Sequence, residues 1–285
     1  MDVGLTHILA VFSFGAGACI ASFLNVVIWR VPRGESIVLP PSHCPKCNAA
    51  IRWYQNIPIL SWLALRGKCA NCKAPISPRY ILIETLGGVL FLAAFWKYGL
   101  TLTTPVMWIW ISLMIVGSMI DFDHKLLPDF VTIGGMILGM VAAVSECLLD
   151  VRLTGLFPNR GRNVTIDAVG VEYAAVGMAF GFGLLWLIRF FGSKAFKREA
   201  MGMGDVFLMG AVGALFGPVA VLVTLILSSV FGSIVGVSMV ALSKTKFGKF
   251  VEIPYGPYIC MGCLVWMFWG PELVGWYLGL MGARG

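Results

Sequence analysis

The sequence predicts an all-α integral membrane protein of about eight transmembrane helices, with a substantial cytoplasmic loop between helices 1 and 2. Three observations predict it. Hydrophobic residues make up 59% of the 285 and charged residues only 12%, where a soluble domain carries about 25% charged residues. Apolar runs recur at the length of about 20 residues that a helix needs to cross hydrocarbon. None of them alternates apolar and polar residues in the manner of a membrane barrel. A cytosolic enzyme, a coiled coil and a disordered scaffold are excluded.

The runs are 5–29, 80–98, 105–121, 130–149, 168–191, 203–217, 218–242 and 253–270. The first has no basic residue ahead of it, unlike a secretory signal, and is expected to remain as helix 1 over residues 1–29. Arg30 and Arg33 follow it directly, so the positive-inside bias puts both termini outside and residues 30–79 in the cytoplasm. With that orientation 16 of the 21 basic residues fall inside. The stretch from Val206 to Leu242 has no charge, and its one break is Gly217-Pro218. Proline suits the first turn of a helix, so a tight hairpin is expected there. The run Leu273–Met281 is too short to cross and is expected to lie along the outer surface. Residues 80–285 thus form a multi-span unit.

The net charge of +7 is local. Residues 30–79 hold eight basic residues and one acid, Glu35, so this loop alone carries the excess. Beside a bilayer such a loop favours anionic headgroups, and nothing calls for a nucleic-acid partner.

The same loop contains Cys44-Pro-Lys-Cys47 and Cys69-Ala-Asn-Cys72, two C-x-x-C pairs at the spacing of a four-thiolate zinc site. A 50-residue loop buries little, so a structural Zn²⁺ would supply its folding energy. Two disulfides are disfavoured in a reducing compartment, and redox C-x-x-C motifs rarely come as a matched pair. Cys19, Cys147, Cys260 and Cys263 fall within spans and read as small buried hydrophobes.

Two acids stand out. Asp121 ends the third span and Asp205, in Gly202-Met203-Gly204-Asp205, opens the sixth. Parity puts both at the cytoplasmic face. Facing carboxylates cannot both ionise easily and share one proton, the state in which one activates water and the other polarises a peptide carbonyl. The glycines beside Asp205 would let a peptide backbone come close. Taken singly, each aspartate reads as an interfacial charge. Paired acids would also suit a proton-coupled transporter, and the cysteines alone would suit a non-enzymatic zinc-bearing membrane adaptor.

Several further segments join these in order: Ser22-Phe-Leu-Asn-Val-Val-Ile-Trp-Arg30-Val-Pro32, Asn56-Ile-Pro58, Leu65-Arg-Gly-Lys-Cys69, Ile76-Ser-Pro-Arg-Tyr80 and Ile120-Asp-Phe-Asp-His-Lys-Leu-Leu-Pro-Asp129. Over nearly its whole length the chain resembles the type IV prepilin peptidases, bifunctional leader peptidases and N-methyltransferases of the bacterial inner membrane. The resemblance implies an aspartic protease of the G-x-G-D type with Asp121 and Asp205 as its catalytic pair. It implies prepilin or pseudopilin precursors as substrates, cut at the cytoplasmic face and then methylated with S-adenosyl-L-methionine. Methylation is expected in the zinc-bearing loop 30–79. No G-x-G-x-x-G strand-turn-helix is present to hold that cofactor, and the glycines Gly15, Gly17, Gly181 and Gly183 read as helix packing. The search for the cofactor site therefore centres on Arg33, Glu35, Asn56 and Gly67.

Overall fold

The computed structural model describes residues 3–149, 169–199, 201–242 and 254–281. Arg152, Arg160, Arg162, Lys244, Lys246, Lys249 and Arg284, all part of the charge count, lie outside the described residues, as does the side chain of Cys147. The described residues are helical apart from turns and two isolated bridges. The chain divides into two compact units, Met1–Val116 and Gly117–Gly285.

In the first unit, α1 (Val3–Arg30) packs along α3 (Arg79–Tyr98), and a short helix α2 (Leu60–Ala64) lies in the segment between them. Without an aqueous phase to drive helices together, close backbone approach supplies the attraction. A Cβ on Gly17 would stand 2.5 Å from the Gly87 carbonyl oxygen, and one on Gly87 would stand 2.5 Å from the Ala21 Cβ. Of the pair Gly15 and Gly17, only Gly17 serves this contact, since nothing lies within 4 Å of Gly15. The first part of α4 (Thr103–His124) joins them where Trp108 stacks on Phe91 and donates its indole N–H to the Phe91 carbonyl, 3.0 Å away.

Two charged side chains tie the intervening loop to these helices. Arg30 is buried and donates to the carbonyls of Ser36 and Pro40, at 2.8 and 2.7 Å. Glu84, buried in the second turn of α3, accepts the Ile59 N–H at 2.7 Å. Both are therefore loop anchors as well as interfacial charges.

The second unit holds the end of α4 with α5 (Asp129–Leu149), α6 (Val169–Phe196), α7 (Met203–Leu242) and α8 (Gly256–Leu280). Its centre is α7, which packs against α5, α6 and α8. Gly217 interrupts α7 with φ 82° and ψ −179°, a left-handed φ that favours glycine. The chain reverses there. Along one straight helix Met209 and Val221 would be about 18 Å apart, yet a Cβ on Gly181 would touch both residues. Pro218 opens the returning arm, so the expected hairpin at Gly217-Pro218 is present. Gly177 and Gly213 bring α6 and the first arm so close that a Cβ on either would overlap the other's carbonyl. Gly181 packs in the same interface and Gly183 does not.

Seven described helices are long and apolar enough to cross a membrane. With α7 counted as two arms they give the eight segments expected. Exposed Val11, Phe12, Trp96, Ile226 and Val237 on their outer faces suit a hydrocarbon solvent. The C-terminal run corrects one boundary: α8 continues through Pro271 to Leu280 as one helix, and Leu273–Met281 is not a separate segment.

The α6–α7 approach predicts that Gly213→Val destabilises the second unit by about 1–3 kcal/mol, the usual cost of overpacking. A fall in the thermal midpoint of the detergent-solubilised protein checks it.

Candidate active site and metal centre

Asp205 owes its place to the start of α7. Met203 is the first helical residue, so Gly202 stands at the N-cap and Asp205 at N3, from which a side chain reaches back to the N-cap N–H as in half of a capping box. Its carboxylate accepts the Gly202 N–H. The other oxygen, Oδ1, is buried without a partner among the described residues.

Asp121 sits in the last turn of α4, one turn before the helix ends at His124. Its Oδ2 accepts the Gly256 N–H at 3.0 Å. Gly256 is the first residue of α8, and the first N–H groups of a helix have no partner within it. Each aspartate is thus held by a main-chain donor at a helix N-terminus, where the helix dipole also favours negative charge. The two carboxylates are 6% and 7% exposed and lie within electrostatic reach of each other. The structure brings together the two acids singled out from the sequence.

One apolar side chain fixes their spacing. Leu127, buried, meets three glycines: a Cβ on Gly204 would stand 2.7 Å from its Cβ, one on Gly256 3.2 Å from its Cδ1, and one on Gly117 3.4 Å from its Cδ2. The expectation that Gly204 leaves room for a peptide is therefore corrected, because Leu127 fills that room. Gly202 is open, with only Asp205 Oδ2 near its would-be Cβ, at 3.5 Å. Arg189 of α6 steadies the turn before α7 by donating from Nε to the Met201 carbonyl at 3.0 Å and pairing with Glu199 at 3.3 Å. Asp123 and Asp129 are exposed.

The four cysteines of the loop also converge. Their sulfurs lie within 4.8 Å of one another, with Cys44 Sγ and Cys72 Sγ 3.8 Å apart. Tetrahedral coordination with bonds of about 2.3 Å places sulfurs about 3.8 Å apart, so the set fits a single metal ion. Two matching knuckles present them. Cys44 N–H donates to Ala49 O while Asn48 N–H donates to Cys44 O; Cys69 does the same with Ala74 and Lys73. Asn48 and Lys73 both take positive φ, 55° and 58°, to close these turns.

Main-chain donors prepare thiolates. The Ala49 N–H brings the Cys47 thiol down to about 6, and the N–H groups of Cys72 and Asn71 lower Cys69. At Cys72 the Ala74 N–H acts in the same sense but is outweighed by the neighbouring cysteine sulfurs, which help push the thiol up to about 11. Four sulfurs gathered this closely suit a bound cation, which would neutralise the thiolates' mutual repulsion.

Of the residues searched for a methyl-donor site, Asn56 lines a cavity of about 390 Å³ in the first unit with Ser22, Phe23, Arg30 and Ser42. Arg33 instead stacks on the Trp29 ring, Gly67 turns under Trp62 with φ 66°, and Glu35 is exposed; none of the three lines the cavity.

Residues 16–98 match the family model described as the bacterial peptidase A24 N-terminal domain, and residues 108–237 match that of the type IV leader peptidase family. The prepilin leader peptidase/N-methyltransferase of Legionella pneumophila is 34% identical, over 95% of this chain and 94% of its own. The chain belongs to the type IV leader peptidase family. Two other family members named prepilin leader peptidase/N-methyltransferase are those of Stutzerimonas stutzeri, 33% identical over 92% of this chain and 91% of its own, and Myxococcus xanthus, 40% identical over 81% of this chain. The chain spans 63% of the Myxococcus protein's length. No solved structure matches. As a leader peptidase family member the chain is a membrane-embedded protease rather than a transporter or an adaptor.

Sequence reasoning missed Gly256 and gave no role at the site to Leu127, which stands in the segment 120–129, or to Arg189. The signal available for the first was Pro254-Tyr-Gly-Pro257, a helix start carrying a glycine at its first position.

Two outcomes follow from these contacts. Cys44→Ser should lose bound metal, measured by elemental mass spectrometry on the purified protein. Gly256→Ala would put a methyl 2.7 Å from Asp121 Oδ2 and should lower peptidase kcat at least roughly tenfold, as small displacements of catalytic groups do, with metal content unchanged.

Proposed function

We propose that this protein cleaves the leader peptide of prepilin or pseudopilin precursors with Asp121 and Asp205, then N-methylates the new N-terminus. The supporting observation is the pair of buried carboxylates, each fixed by one main-chain N–H, with Asp205 Oδ1 left for a ligand. A water placed between them gives up a proton to the ionised carboxylate as its oxygen attacks the scissile carbonyl. The protonated partner donates to the carbonyl oxygen, giving a tetrahedral diol. As the diol collapses, the carboxyl that took the water's proton passes it to the departing amine while one diol hydroxyl returns its proton to the other carboxylate, so the pair is left with one shared proton as at the start. A G-x-G-D signature and the names of the relatives point the same way.

The four-cysteine cluster suits Zn²⁺, which prefers tetrahedral thiolate sets in structural sites. In this reading Cys44, Cys47, Cys69 and Cys72 hold it and it fixes the fold of loop 30–79. The loop and the residues near it carry methyl transfer, while residues 80–285 carry proteolysis. S-adenosyl-L-methionine would supply an electrophilic methyl group for the amine. The cavity beside Asn56 falls in the size range of small-molecule sites, about 300–1,000 Å³, and Arg30 is the one charged residue among its described lining. The loop and both aspartates face the cytoplasm and both termini lie outside, in a bacterial inner membrane.

Asp121→Asn and Asp205→Asn should each reduce cleavage of a precursor peptide by at least about 100-fold while methylation of a pre-cut peptide continues. Mass spectrometry of products with and without S-adenosyl-L-methionine reads both reactions. Normal cleavage by both single variants would refute the dyad.

A further inference from the structure

A peptide that enters a protease from a bilayer raises a problem of hydrogen bonding. Inside a helix the scissile carbonyl is already bonded to the chain, so attack requires the segment to open locally. Each N–H and C=O freed in an apolar setting costs several kcal/mol unless it finds a new partner. The protein therefore needs donors and acceptors beside the dyad, on a surface that the substrate reaches from the lipid.

The second arm of α7 has such a surface. Its outer face is apolar at Ile226, Val230, Ile234 and Val237, all exposed. Ser229 and Ser233, one turn apart, interrupt it and are also exposed. Polar groups on a membrane-spanning helix are costly and mark pathways and sites. Together with Gly232, Tyr255 and Tyr258 these serines line a groove of about 330 Å³. Tyr255 is fixed in place: its hydroxyl meets the buried Ser228 hydroxyl at 2.7 Å and Ser229 at 3.4 Å. The residue after Tyr255 is Gly256, whose N–H holds Asp121 Oδ2. Tyr255, which lines the groove, thus stands one residue along the chain from the donor that holds Asp121. No step of the mechanism above uses its hydroxyls.

We propose that the groove of Ser229, Ser233, Tyr255 and Tyr258 is the substrate subsite that receives the locally extended backbone of an apolar precursor segment beside the scissile bond. The Ser229 hydroxyl donates to the Leu225 carbonyl at 2.8 Å, which leaves its oxygen to accept a peptide N–H, while a serine hydroxyl such as that of Ser233 can both donate and accept; neither selects side chains. Gly232 keeps the floor low, since a Cβ there would lie 3.5 Å from the Tyr258 ring. This assignment rests on the peptidase reading and specifies how that site holds its substrate.

The test uses the full-length enzyme in detergent or vesicles with a precursor peptide that spans the cleavage site. Ser229→Ala with Ser233→Ala should raise KM roughly tenfold, as expected for two lost hydrogen bonds, with kcat little changed. Ser229→Thr with Ser233→Thr, which keeps both hydroxyls, should restore KM. Methylation of a pre-cut peptide by the alanine pair reports that the protein is folded. An unchanged KM in the alanine pair would overturn the subsite. So would a threonine pair as impaired as the alanine pair, because shape and not hydroxyls would then matter. Absence of cleavage by the unaltered chain would instead overturn the peptidase reading, and the subsite with it.

Discussion

A carboxylate at the end of a membrane-spanning helix must be given polar partners by the protein, because hydrocarbon offers none. Much of the second unit is arranged around that requirement. Asp205 meets it within its own helix start, through Gly202. Asp121 lies at the C-terminal end of α4, where its own helix presents carbonyls and repels it. Its donor comes instead from the first turn of α8. The start of α8 must therefore be brought to the end of α4, and Leu127, packed among Gly117, Gly204 and Gly256, joins the segments that carry the two acids.

The reversal at Gly217 is the second condition. Asp205 opens the first arm of α7, and Ser228, 23 residues later, meets the hydroxyl of Tyr255, the residue before the Gly256 that holds Asp121. A straight helix would separate them by about 35 Å. The short first arm returns the chain at once to the level from which it started. Its cost is a tight contact with α6, which glycines at 177, 181 and 213 make possible. Small residues here act as geometry: they let the arm sit deep enough for its N-terminal aspartate to be buried.

What could be read from the sequence followed from local rules. The apolar runs, the break at Gly217-Pro218, the two C-x-x-C pairs and the two aspartates each have a signature within a few residues. What could not be read depends on backbone groups or on contacts between distant segments. Gly256 acts through its N–H, which every residue except proline possesses, so its side chain announces nothing. Leu127 falls in the segment 120–129 that carries the resemblance, but its packing role comes from three glycines far apart in sequence. Arg30 and Glu84 were visible as charges near helix ends, but their partners, the carbonyls of Ser36 and Pro40 and the N–H of Ile59, are again main-chain atoms. The end of α8 was misplaced because Gly270-Pro271 reads as a terminator in water, while a membrane helix tolerates proline where neighbouring groups compensate.

Main-chain anchoring of both acids also bears on the chemistry. An amide N–H does not exchange its proton with a carboxylate in the working pH range, so in the proposed reaction the donors of Gly202 and Gly256 orient the two acids without joining their proton traffic. A lysine, histidine or tyrosine in their place would compete for the proton that the two acids share. Asp121 Oδ2 and one oxygen of Asp205 are committed as acceptors. Each carboxyl therefore has one oxygen not so committed, which the proposed reaction would use, and the buried Oδ1 of Asp205, unpartnered among the described residues, is one of these. In the proposed reaction, proton transfer would run through those two oxygens and whatever lies between them, the arrangement that passing one proton back and forth requires.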